Sequence, residues 1–511
     1  MQNLPDNLYS VESVVQLEQI AINQYGIPAY ELMKRAGAAV FNALQKDYPH
    51  CKNVLVLCGA GNNAGDGYVV ARLAGEAGFN VEVVSLIEPA KLKNEAMLAY
   101  QDWSGLAENS QADLCLIDKA DIVIDALLGT GLARDVSVDW AQWINAVNNA
   151  DMPVISIDIP SGLLADTGAI AGVAIEADTT VSFIGLKQGM FTAQAKDVCG
   201  EVVFNDLGVP AEAYSQVECN TRLIKQVDYS LLVQRKPSSH KGKFGHVLIV
   251  GGNNGMPGAV ILAATAALRA GAGLVTIIAA PQNKTAISAA VPEAMIRTCG
   301  TGTEDNDVIT ALFAESFIDN VTHVAVGMGL AQDDWAINIL RHCLLLNKPM
   351  LIDADALNLL AKHDYLYSSL TSANPLVITP HPGEAARLLS KIKDTGTADV
   401  QANRFAAVRQ LYALFNDDAV RTVILKGSGT LIYDGSTTKV CGLGNAAMSA
   451  PGMGDVLSGI VIALMAQHFE MAAAAELAVC LHASAAGLVS QGKTRGLLAS
   501  DIIAALPEVL Q

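Results

Sequence analysis

The amino-acid sequence predicts an α/β protein with two domains, each built around a parallel β-sheet. Its 511 residues exceed the size at which a single hydrophobic core usually stops growing. Short runs of Val, Ile and Leu alternate with longer helical stretches, which is typical of parallel sheets covered by helices. This alternation lapses around residues 221–240, in a basic segment that contains Pro and Ser. We therefore expect one domain in residues 1–225 and a second in residues 226–511.

The predicted elements follow in order along the chain. The segment before the first strand is predicted to be helical and includes AYELMKRAGAAVFNAL. The buried parallel strands predicted for the first domain are NVLVLCG, NVEVVSL, ADIVIDALLG, MPVISIDIPSG, TTVSFIG and EVVFNDLG. Those predicted for the second are HVLIVGG, LVTIIAA, HVAVGMGL, PMLIDADAL, PLVITPHPGE and TVILKGSG. A hairpin, TLIYDGSTTKVCG, and two Ala-rich helices at about residues 454–467 and 472–490 close the chain.

Charge and composition argue against several classes of protein. The formal charge of −18 disfavours binding to DNA, RNA and anionic membranes. No apolar run approaches the ~18 residues that cross a bilayer, and the N-terminus lacks the features of a signal peptide. The nine cysteines follow no disulfide or metal-binding spacing. We expect a reduced, cytoplasmic protein that holds phosphates with helix N-termini, backbone N–H groups and a few lysines.

The stretch GAGNNAGDG, at residues 59–67, follows the first buried strand and precedes a helix. Such a turn collects N–H groups and the positive end of a helix dipole, and small residues let a ligand approach the backbone. We expect Asn62, Asn63 and Asp66 to lie inside this loop, where a dinucleotide-binding fingerprint has small neutral residues. Because their oxygens suit a cation beside a polar ligand, the stretch predicts a mixed cation and nucleotide site.

Polar residues also follow two later strands. Asp125 opens DALLGTGL, and Asp158 and Ser161 lie in DIPSGL. Since the carboxyl ends of parallel strands meet at one edge of a sheet, these residues are expected to converge on the Gly-rich stretch. The alternative is that Asp125 and Asp158 only cap the turns and helices that follow them in the chain. Three such loops together favour a shared site.

The motifs GAGNNAGDG, DALLGTGL, DIPSG and LMKRAG resemble those of the NAD(P)H-hydrate epimerase family, over roughly residues 10–220. The resemblance implies a Rossmann-like, three-layer α/β/α domain that binds a hydrated nicotinamide dinucleotide. It implies Asp158 as the acid–base residue and a potassium ion bound by Asn63, Asp125 and Ser161. The substrate site that it implies comprises Asn62, Asn63, Ala64, Gly65, Asp66, Gly129, Thr130, Gly131, Leu132, Ala133, Arg134, Asp135 and Asp158.

Four positions add detail to this resemblance. Ala64 stands where the family's loop has a Gly, and Lys34 and Arg35 replace an acid and an amide. Lys187, in FIGLKQGM, is a candidate partner of Asp158. The alternative for Lys187 is a surface lysine that follows a strand.

The stretch APGMGDVLSGIVIAL places glycines before Asp455, at the start of an apolar helix. One interpretation is an anion hole made by the N–H groups, with Asp455 as the base at a phosphoryl group. The alternative is an ordinary helix N-cap, a position that Asp favours. TVILKGSGT adds Lys426 and small residues at a strand end, which suits a nucleotide phosphate.

These stretches, with HKGKFG, GAVILAATAALRAGAG, LIDADAL and TPHPGE, resemble the NAD(P)H-hydrate dehydratase family over about residues 235–505. The resemblance implies a ribokinase-like α/β domain in which Asp455 deprotonates a hydroxyl for phosphoryl transfer, with Mg²⁺ on the phosphates. The hydrate-binding residues that it implies are Ala259, Gly329, His381 and Asp455. The nucleotide-binding residues that it implies are Lys426, Gly427, Ser428, Gly429, Thr430 and Gly454.

Two points qualify this second resemblance. The chain has PGMGD where many relatives have GGTGD, but Gly454 beside the Asp is kept. The alternative for His381 is a loop residue without a role.

The two resemblances together imply an enzyme that repairs hydrated NADH and NADPH (NADHX and NADPHX). The first domain would epimerise the R and S forms at C6, and the second would dehydrate the S form with ADP as co-substrate. ADP is expected rather than ATP because no targeting segment is visible, as in bacterial members. Two alternatives stay open: a ribokinase-like small-molecule kinase with an N-terminal nucleotide-sensing domain, and a nucleotide-binding protein without catalysis. We expect small-molecule partners and self-association into a homo-oligomer.

Overall fold

The computed structural model describes residues 3–232, 234–300, 306–370, 375–415 and 421–510. The chain divides into two compact units, Met1–Leu223 and Ile224–Gln511. Each unit has its own hydrophobic core around a largely parallel sheet. The predicted α/β class is therefore confirmed.

The first unit contains nine strands and seven helices in its described residues. The strands are β1 (Asn7–Tyr9), β2 (Asn53–Cys58), β3 (Asn80–Ser85), β4 (Ile122–Ala126), β5 (Val154–Ile157), β6 (Thr179–Phe183), β7 (Leu186–Lys187), β8 (Glu201–Asn205) and β9 (Thr221–Ile224). The helices are α1 (Val11–Asn23), α2 (Ala29–Asp47), α3 (Asn62–Glu76), α4 (Asn94–Ser104), α5 (Val138–Asn148), α6 (Ala195–Val198) and α7 (Ala211–Tyr214).

The main sheet of the first unit is parallel, in the order β3-β2-β4-β5-β6-β8. β1 pairs separately, parallel with β7 and antiparallel with β9. In the main sheet the chain passes from β2 to β3 on one side and then crosses back to β4 on the other. The loops after β2 and β4 therefore diverge and leave a crevice at the carboxyl ends of these strands.

Helices cover both faces of this sheet, which makes the first unit a three-layer Rossmann-like domain. Val54 and Val56 of β2 point into the core on the side of α2, α3 and α4. Leu55 and Leu57 point into the opposite core, where Trp143 of α5 packs. β2 is apolar along its length because side chains alternate between two buried faces.

The small residues of GAGNNAGDG mainly permit close packing. A Cβ at Gly59 would lie 1.8 Å from the carbonyl oxygen of Leu127, and a Cβ at Gly67 would lie 2.6 Å from the side-chain Cβ of Ala126. Gly61 differs, because a Cβ there would have no neighbour within 4 Å. Most of this stretch is thus small so that α3 can pack against the sheet, and a smaller part leaves space for a ligand.

The predicted loop placement of three residues is wrong. Gly61 is the N-cap of α3, and the helix begins at Asn62. Asn62, Asn63 and Asp66 therefore lie in the first two turns of the helix. The predicted loop continued too far because Gly and Asn are poor helix formers by propensity, and packing against the sheet overrides that preference.

The second unit contains nine further strands and thirteen helices in its described residues. The strands are β10 (His246–Val250), β11 (Leu274–Ala279), β12 (Met295–Thr298), β13 (His323–Val326), β14 (Met350–Ile352), β15 (Leu376–Ile378), β16 (Arg421–Leu425), β17 (Leu431–Tyr433) and β18 (Thr438–Cys441). The helices are α8 (Pro257–Arg269), α9 (Lys284–Ala290), α10 (Asn306–Phe313), α11 (Phe317–Asn320), α12 (Asp334–Leu344), α13 (Ala354–Lys362), α14 (Asp364–Tyr367), α15 (Pro382–Leu389), α16 (Thr397–Ala402), α17 (Arg404–Leu414), α18 (Met453–Ala466), α19 (Met471–Ser490) and α20 (Ala499–Val509).

Seven of these strands are parallel, in the order β12-β11-β10-β13-β14-β15-β16, and β17 and β18 continue the sheet antiparallel. The strand order reverses between β10 and β13, which creates a second crevice. The predicted strands and the hairpin are present. β12 escaped prediction because it is a short, partly exposed strand at the sheet edge. α20 escaped prediction because it contains Pro507, a residue that usually ends a helix.

α19 is long and apolar enough, by length and composition, to cross a membrane. Its sequence contains no long uninterrupted apolar run, because polar residues such as Glu476 and His482 lie within it. The helix packs against α18 and α20, and most of its 18-residue apolar window is buried. A core helix passes the same test, so the observation is weak evidence for a membrane span.

We expect Gly59→Ala to lower the thermal stability of the first unit. The added methyl group meets the Leu127 carbonyl oxygen, and such overpacking reduces the free energy of unfolding by about 1–3 kcal/mol. Gly61→Ala is the matched control, because its methyl group enters open space. Calorimetric unfolding of the full chain measures both changes. Equal stability of the two variants would contradict the packing role of Gly59.

Candidate functional site

A cavity of about 550 Å³ opens in the first unit, at the crevice beside β2 and β4. Asn62, Asn63, Asp66 and Asp158 line it, together with residues 129–134. The cavity thus brings together most of the predicted substrate residues. Other lining residues include Val11, Val14, Glu18, Leu32, Met33, Ala36, Glu95, Phe183, Ile184, Lys187 and Leu207.

Three predicted substrate residues do not line this cavity. Ala64 and Gly65 are buried within α3, where a Cβ on Gly65 would lie 2.6 Å from the Met33 sulfur. Asp135 is exposed and follows the cavity-lining loop. The resemblance transferred whole loops, whereas helix geometry turns only part of each loop toward the cavity.

Asp158 and Lys187 form an ion pair at the wall of the cavity. Lys187 is fully buried, and its Nζ also donates to the Phe183 carbonyl at 3.1 Å and to the Ser182 hydroxyl at 3.2 Å. The Asp158 carboxylate accepts from the Phe183 N–H at 3.1 Å. Asp158 has a left-handed backbone (φ 65°), a conformation that is unfavourable for a non-glycine residue. The surface-lysine alternative for Lys187 and the capping alternative for Asp158 are therefore wrong.

Two of the other carboxyl groups that line this cavity, those of Asp66 and Glu18, have raised pKa values. Burial and the negative charge of Asp158 raise the pKa of Asp66 well above its ordinary value. Burial, then Asp158 and Glu95, raise the pKa of Glu18. Glu18 comes from α1, outside every motif, so no sequence signal pointed to it. Asp66 and Glu18 therefore keep their protons to a higher pH than exposed carboxyl groups do.

Asp125, Ser161 and Asn63 belong to one hydrogen-bond network. The fully buried Asp125 carboxylate accepts from the Ser161 hydroxyl at 2.5 Å, the Ser161 N–H at 2.8 Å and the Ser156 hydroxyl at 2.7 Å. The Asn63 amide donates to the Leu128 carbonyl at 3.3 Å, and that carbonyl lies 3.2 Å from the Ser161 hydroxyl oxygen. Asp125 also accepts weakly from the Leu127 N–H at 3.3 Å, a turn contact and not a helix cap.

The network is chemically suited to a monovalent cation. Burial raises the pKa of Asp125, and the hydrogen bonds from Ser161 and Ser156 oppose that rise. No basic side chain in the described part of the chain forms an ion pair with Asp125. Carboxylate, hydroxyl, amide and carbonyl oxygens together are the donor set that such a cation prefers, and a cation would offset the buried charge. Ser156 and the Leu128 carbonyl were not among the residues predicted from the sequence.

Lys34 and Arg35, the two departures in LMKRAG, have structural partners. Both form ion pairs with Glu31, at 2.7 Å and 3.3 Å respectively. Arg35 also donates to the carbonyl of Leu207 at 2.8 Å, and Leu207 lines the cavity. Arg35 therefore ties α2 to a turn at the cavity wall.

In the second unit, three adjacent strand ends bring Asp353, Glu384 and Lys426 together. The Lys426 Nζ lies 2.7 Å from the Asp353 Oδ1 and 3.9 Å from the Glu384 Oε2. Burial alone would lower the pKa of Lys426, but the two carboxylates raise it above its ordinary value. Burial raises the pKa of Glu384 to about 7, although Lys426 opposes the shift. Asp353 lies in the motif LIDADAL and Glu384 in TPHPGE. The sequence therefore pointed to both motifs, but neither residue was among the predicted site residues.

Asp455 lies in the first turn of α18, close to this group. The helix begins at Met453 and its N-cap is Gly452, in a left-handed conformation (φ 82°). Asp455 is therefore not the cap, and the capping alternative is wrong. Burial and then the charge of Asp353 raise the pKa of Asp455 to about 7, while Lys426 opposes the rise. A Cβ on Gly454 would approach the Lys426 Nζ to 3.2 Å, so a small residue there gives the ammonium group space.

A buried arginine, Arg404, holds the start of the loop of residues 426–430 by hydrogen bonds to its backbone. Arg404, from α17, donates to the carbonyls of Leu425 at 3.1 Å and Lys426 at 3.2 Å. Gly427 has a positive φ of 133°, and a Cβ there would lie 2.8 Å from the Arg404 Nη1. The predicted nucleotide loop thus rests on a fixed guanidinium group. No motif pointed to Arg404, because a single arginine in a helix is usually at the surface.

The remaining predicted residues occupy two places. Gly329 and Ala259 are adjacent at the crevice between β10 and β13, where a Cβ on Gly329 would lie 3.0 Å from that of Ala259. His381 is the N-cap of α15: its Nδ1 accepts from the Gly383 N–H at 3.0 Å, and its Nε2 lies 3.2 Å from a Glu384 oxygen. Burial and the charge of Lys426 lower the pKa of His381. The alternative of a loop residue without a role is therefore wrong.

These features are those of a two-domain α/β enzyme that acts on nucleotides, with a separate crevice in each domain. Residues 29–189 match the family model described as YjeF-related protein N-terminus, and residues 247–508 match NAD(P)H-hydrate dehydratase. The bifunctional NAD(P)H-hydrate repair enzyme Nnr of Vibrio cholerae is 42% identical over 99% of each chain. The Coxiella burnetii enzyme of the same name is 39% identical over 97% of each chain. This chain belongs to the family of bifunctional NAD(P)H-hydrate repair enzymes.

The chain also resembles several solved structures, one of which is a dehydratase. The ADP/ATP-dependent NAD(P)H-hydrate dehydratase of Bacillus subtilis, co-crystallised with ATP and Mg²⁺, is 27% identical. The match covers 55% of this chain and 94% of that chain, with a TM-score of 0.46.

Proposed function

We propose that the protein repairs NADH and NADPH that have gained water at C6 of the nicotinamide ring. The first domain interconverts the R and S hydrates, and the second returns the S hydrate to the reduced cofactor, with ADP giving AMP and phosphate. The main support for this proposal is the environment of Asp455. Its carboxyl group has a raised pKa and lies in the first turn of α18, beside Lys426. Full-length relatives named for this repair support the same assignment. The small-molecule kinase alternative is not favoured by them.

The dehydratase chemistry follows from leaving-group strength. Hydroxide leaves poorly, since water has a pKa of ~15.7, whereas phosphate leaves well with a second pKa of ~6. Asp455 takes the proton of the C6 hydroxyl as its oxygen attacks the β-phosphoryl group of ADP, and AMP departs. The ring nitrogen then expels phosphate, and loss of a proton from C5 restores the dihydronicotinamide. Lys426 and the N–H groups of the first turn of α18 bind the phosphates.

Magnesium fits this arrangement as a companion of the nucleotide. Mg²⁺ usually binds phosphates, water and one or two carboxylates, and Glu384 supplies a buried carboxylate next to Lys426. When bound, the ion would neutralise phosphate charge. Residues 426–430 and Gly454 would surround the nucleotide, and Ala259, Gly329 and His381 would contact the hydrate.

Epimerisation at C6 needs proton transfer at the C6 hydroxyl group and at the ring nitrogen. Asp158 removes the proton of the C6 hydroxyl, the bond between C6 and the ring nitrogen breaks, and Lys187 protonates that nitrogen. Rotation of the resulting aldehyde and closure on its other face invert C6. Because both groups are held by Phe183 and Ser182, they keep a fixed orientation during the cycle. Potassium bound by Asn63, Asp125 and Ser161 would offset the acidic charge of this cavity.

Further properties follow from composition and from the division of the chain. We propose a functional boundary near residues 225 and 226, close to the division between the compact units. The charge of −18 supports small molecules, and neither nucleic acid nor membrane, as partners of a cytoplasmic protein. Self-association into a homo-oligomer stays a prediction.

The activity is tested with the full chain and a mixture of both hydrate epimers. With ADP we expect complete conversion to NADH, measured from dihydronicotinamide absorbance. Asp158→Asn should convert the S form at the normal rate and the R form only at its spontaneous rate, because epimerisation is lost. Accumulation of a stable phosphorylated hydrate would instead favour the kinase alternative.

Asp455→Asn should reduce dehydratase turnover by about 10²–10⁴-fold, the usual contribution of a general base. The reaction of the unmodified protein should weaken as the pH falls below about 7, since the base is inactive once protonated and its pKa is raised to that value. Stopped assays across a pH series measure this limb. A limb near pH 4, where an ordinary Asp titrates, would contradict the assignment.

Epimerisation should be faster in potassium than in tetramethylammonium at equal ionic strength. Ser161→Ala should weaken this dependence, because it removes one oxygen while Asp125 keeps its other donors. The rate of ADP-dependent NADH formation from pure S hydrate serves as the control and should not change. Epimerisation that is indifferent to the cation would leave the Asp125 network as a purely structural device.

A further inference from the structure

Asp353 is a buried carboxylate to which neither resemblance assigns a role. It follows β14, and only 1% of its surface is exposed. Each of its two oxygens accepts one hydrogen bond from a different element. Oδ1 lies 2.7 Å from the Lys426 ammonium, and Oδ2 lies 2.7 Å from the Ser458 hydroxyl.

The surrounding backbone holds Asp353 in one position. Its N–H donates to the carbonyl of Val326 at 3.1 Å. A Cβ on Gly327 would lie 1.8 Å from the Asp353 carbonyl oxygen. Only glycine therefore fits at position 327. Ala354, the next residue, has a left-handed backbone with a φ of 48°. A strained conformation at a functional strand end persists only where its neighbours fix it.

The two partners of Asp353 belong to opposite sides of the proposed phosphoryl-transfer site. Lys426 ends β16 and begins the nucleotide loop. Ser458 lies in α18, three residues after Asp455 and therefore on the same face of the helix. A single carboxylate thus connects the phosphate-binding ammonium group with the helix that carries the base.

An ionised carboxylate accepts from both partners at once, and its charge balances that of the Lys426 ammonium. It offers acceptors on both oxygens, whereas an amide of the same shape presents N–H groups on one side. An Asn side chain could keep its oxygen toward Lys426 only by turning its N–H groups toward the Ser458 hydroxyl, which would then accept instead of donate. Because all three groups are largely buried, Asn would leave the ammonium without its nearest charged partner and would reverse the hydrogen bond to α18.

We propose that Asp353 is a positioning residue for phosphoryl transfer. It holds the Lys426 ammonium toward the nucleotide phosphates and, through Ser458, keeps α18 in the register that aims Asp455 at the hydroxyl. The inference rests on the proposed dehydratase function, and it extends that function to a residue that touches neither substrate.

The test compares Asp353→Asn, Ser458→Ala and the unmodified full chain. Asp353→Asn should weaken ADP binding about 10- to 100-fold in titration calorimetry, the loss expected for a charged hydrogen bond, and should also lower kcat. Ser458→Ala leaves the contact to Lys426 intact. It should therefore lower kcat by about fivefold and change ADP affinity by less than about twofold.

A pH profile separates positioning from general structural damage. Four charged groups act on Asp455: Asp353, Asp355 and Glu384 favour its protonated form, and Lys426 favours the ionised form. Removal of the Asp353 charge should move the acidic limb of the residual kcat to lower pH. A loss of fold alone would reduce the amount of active protein and leave the limb in place.

Asp364→Asn is the matched control, because Asp364 is an exposed carboxylate that pairs with Lys391 in the same domain. It should alter neither ADP affinity nor the pH limb. Unchanged or tighter ADP binding in Asp353→Asn, with the limb unmoved, would overturn the proposal, and so would normal turnover in Ser458→Ala. If the unmodified protein bound ADP but did not consume the hydrate, the proposed function would fail while the ADP titrations still tested the contact to Lys426.

Discussion

A lysine buried beside an aspartate, at the carboxyl ends of parallel strands, is the interaction on which both sites depend. Lys187 pairs with Asp158 in one domain, and Lys426 pairs with Asp353 in the other. An ammonium group removed from water is strongly destabilised unless a carboxylate and further hydrogen bonds compensate. The loops around each pair are therefore constrained to one arrangement. Left-handed backbone at Asp158 and directly after Asp353 is the visible consequence.

Parallel sheets explain why such pairs arise at these positions. Strand order reverses beside β2 in the first domain and beside β10 in the second, so neighbouring loops separate and leave room for a ligand. The two crevices then differ in what surrounds them. The first has a buried carboxylate network suited to a cation and a wall of proton-retaining acids. The second has a helix N-terminus and a supported glycine-rich loop, which suit phosphate groups.

Much of this could be predicted from the sequence. Buried strands can be recognised in the sequence as short apolar runs. Short motifs at the ends of these runs pointed to Asp125, Asp158, Lys426 and Asp455. Residues that reach a site from elsewhere carry no such signal: Glu18 projects from α1, for instance, and depends on how helices pack. The boundary of α3 was misjudged for a related reason, since local propensity favours a loop while packing against the sheet favours a helix.

The raised pKa values of Asp455 and Glu384 affect folding as well as chemistry. Each acid titrates near pH 7 in the folded chain and near 4 when unfolded, so between these values the native state holds more protons than the denatured state. The contribution of these two groups to the free energy of unfolding therefore declines as the pH rises from about 4 to about 7, and is level beyond. The second domain is thus least stabilised by these two groups under the neutral conditions in which its base is active. A bound cation that neutralises Glu384 would return part of that stability, which couples ligand occupancy to resistance against unfolding.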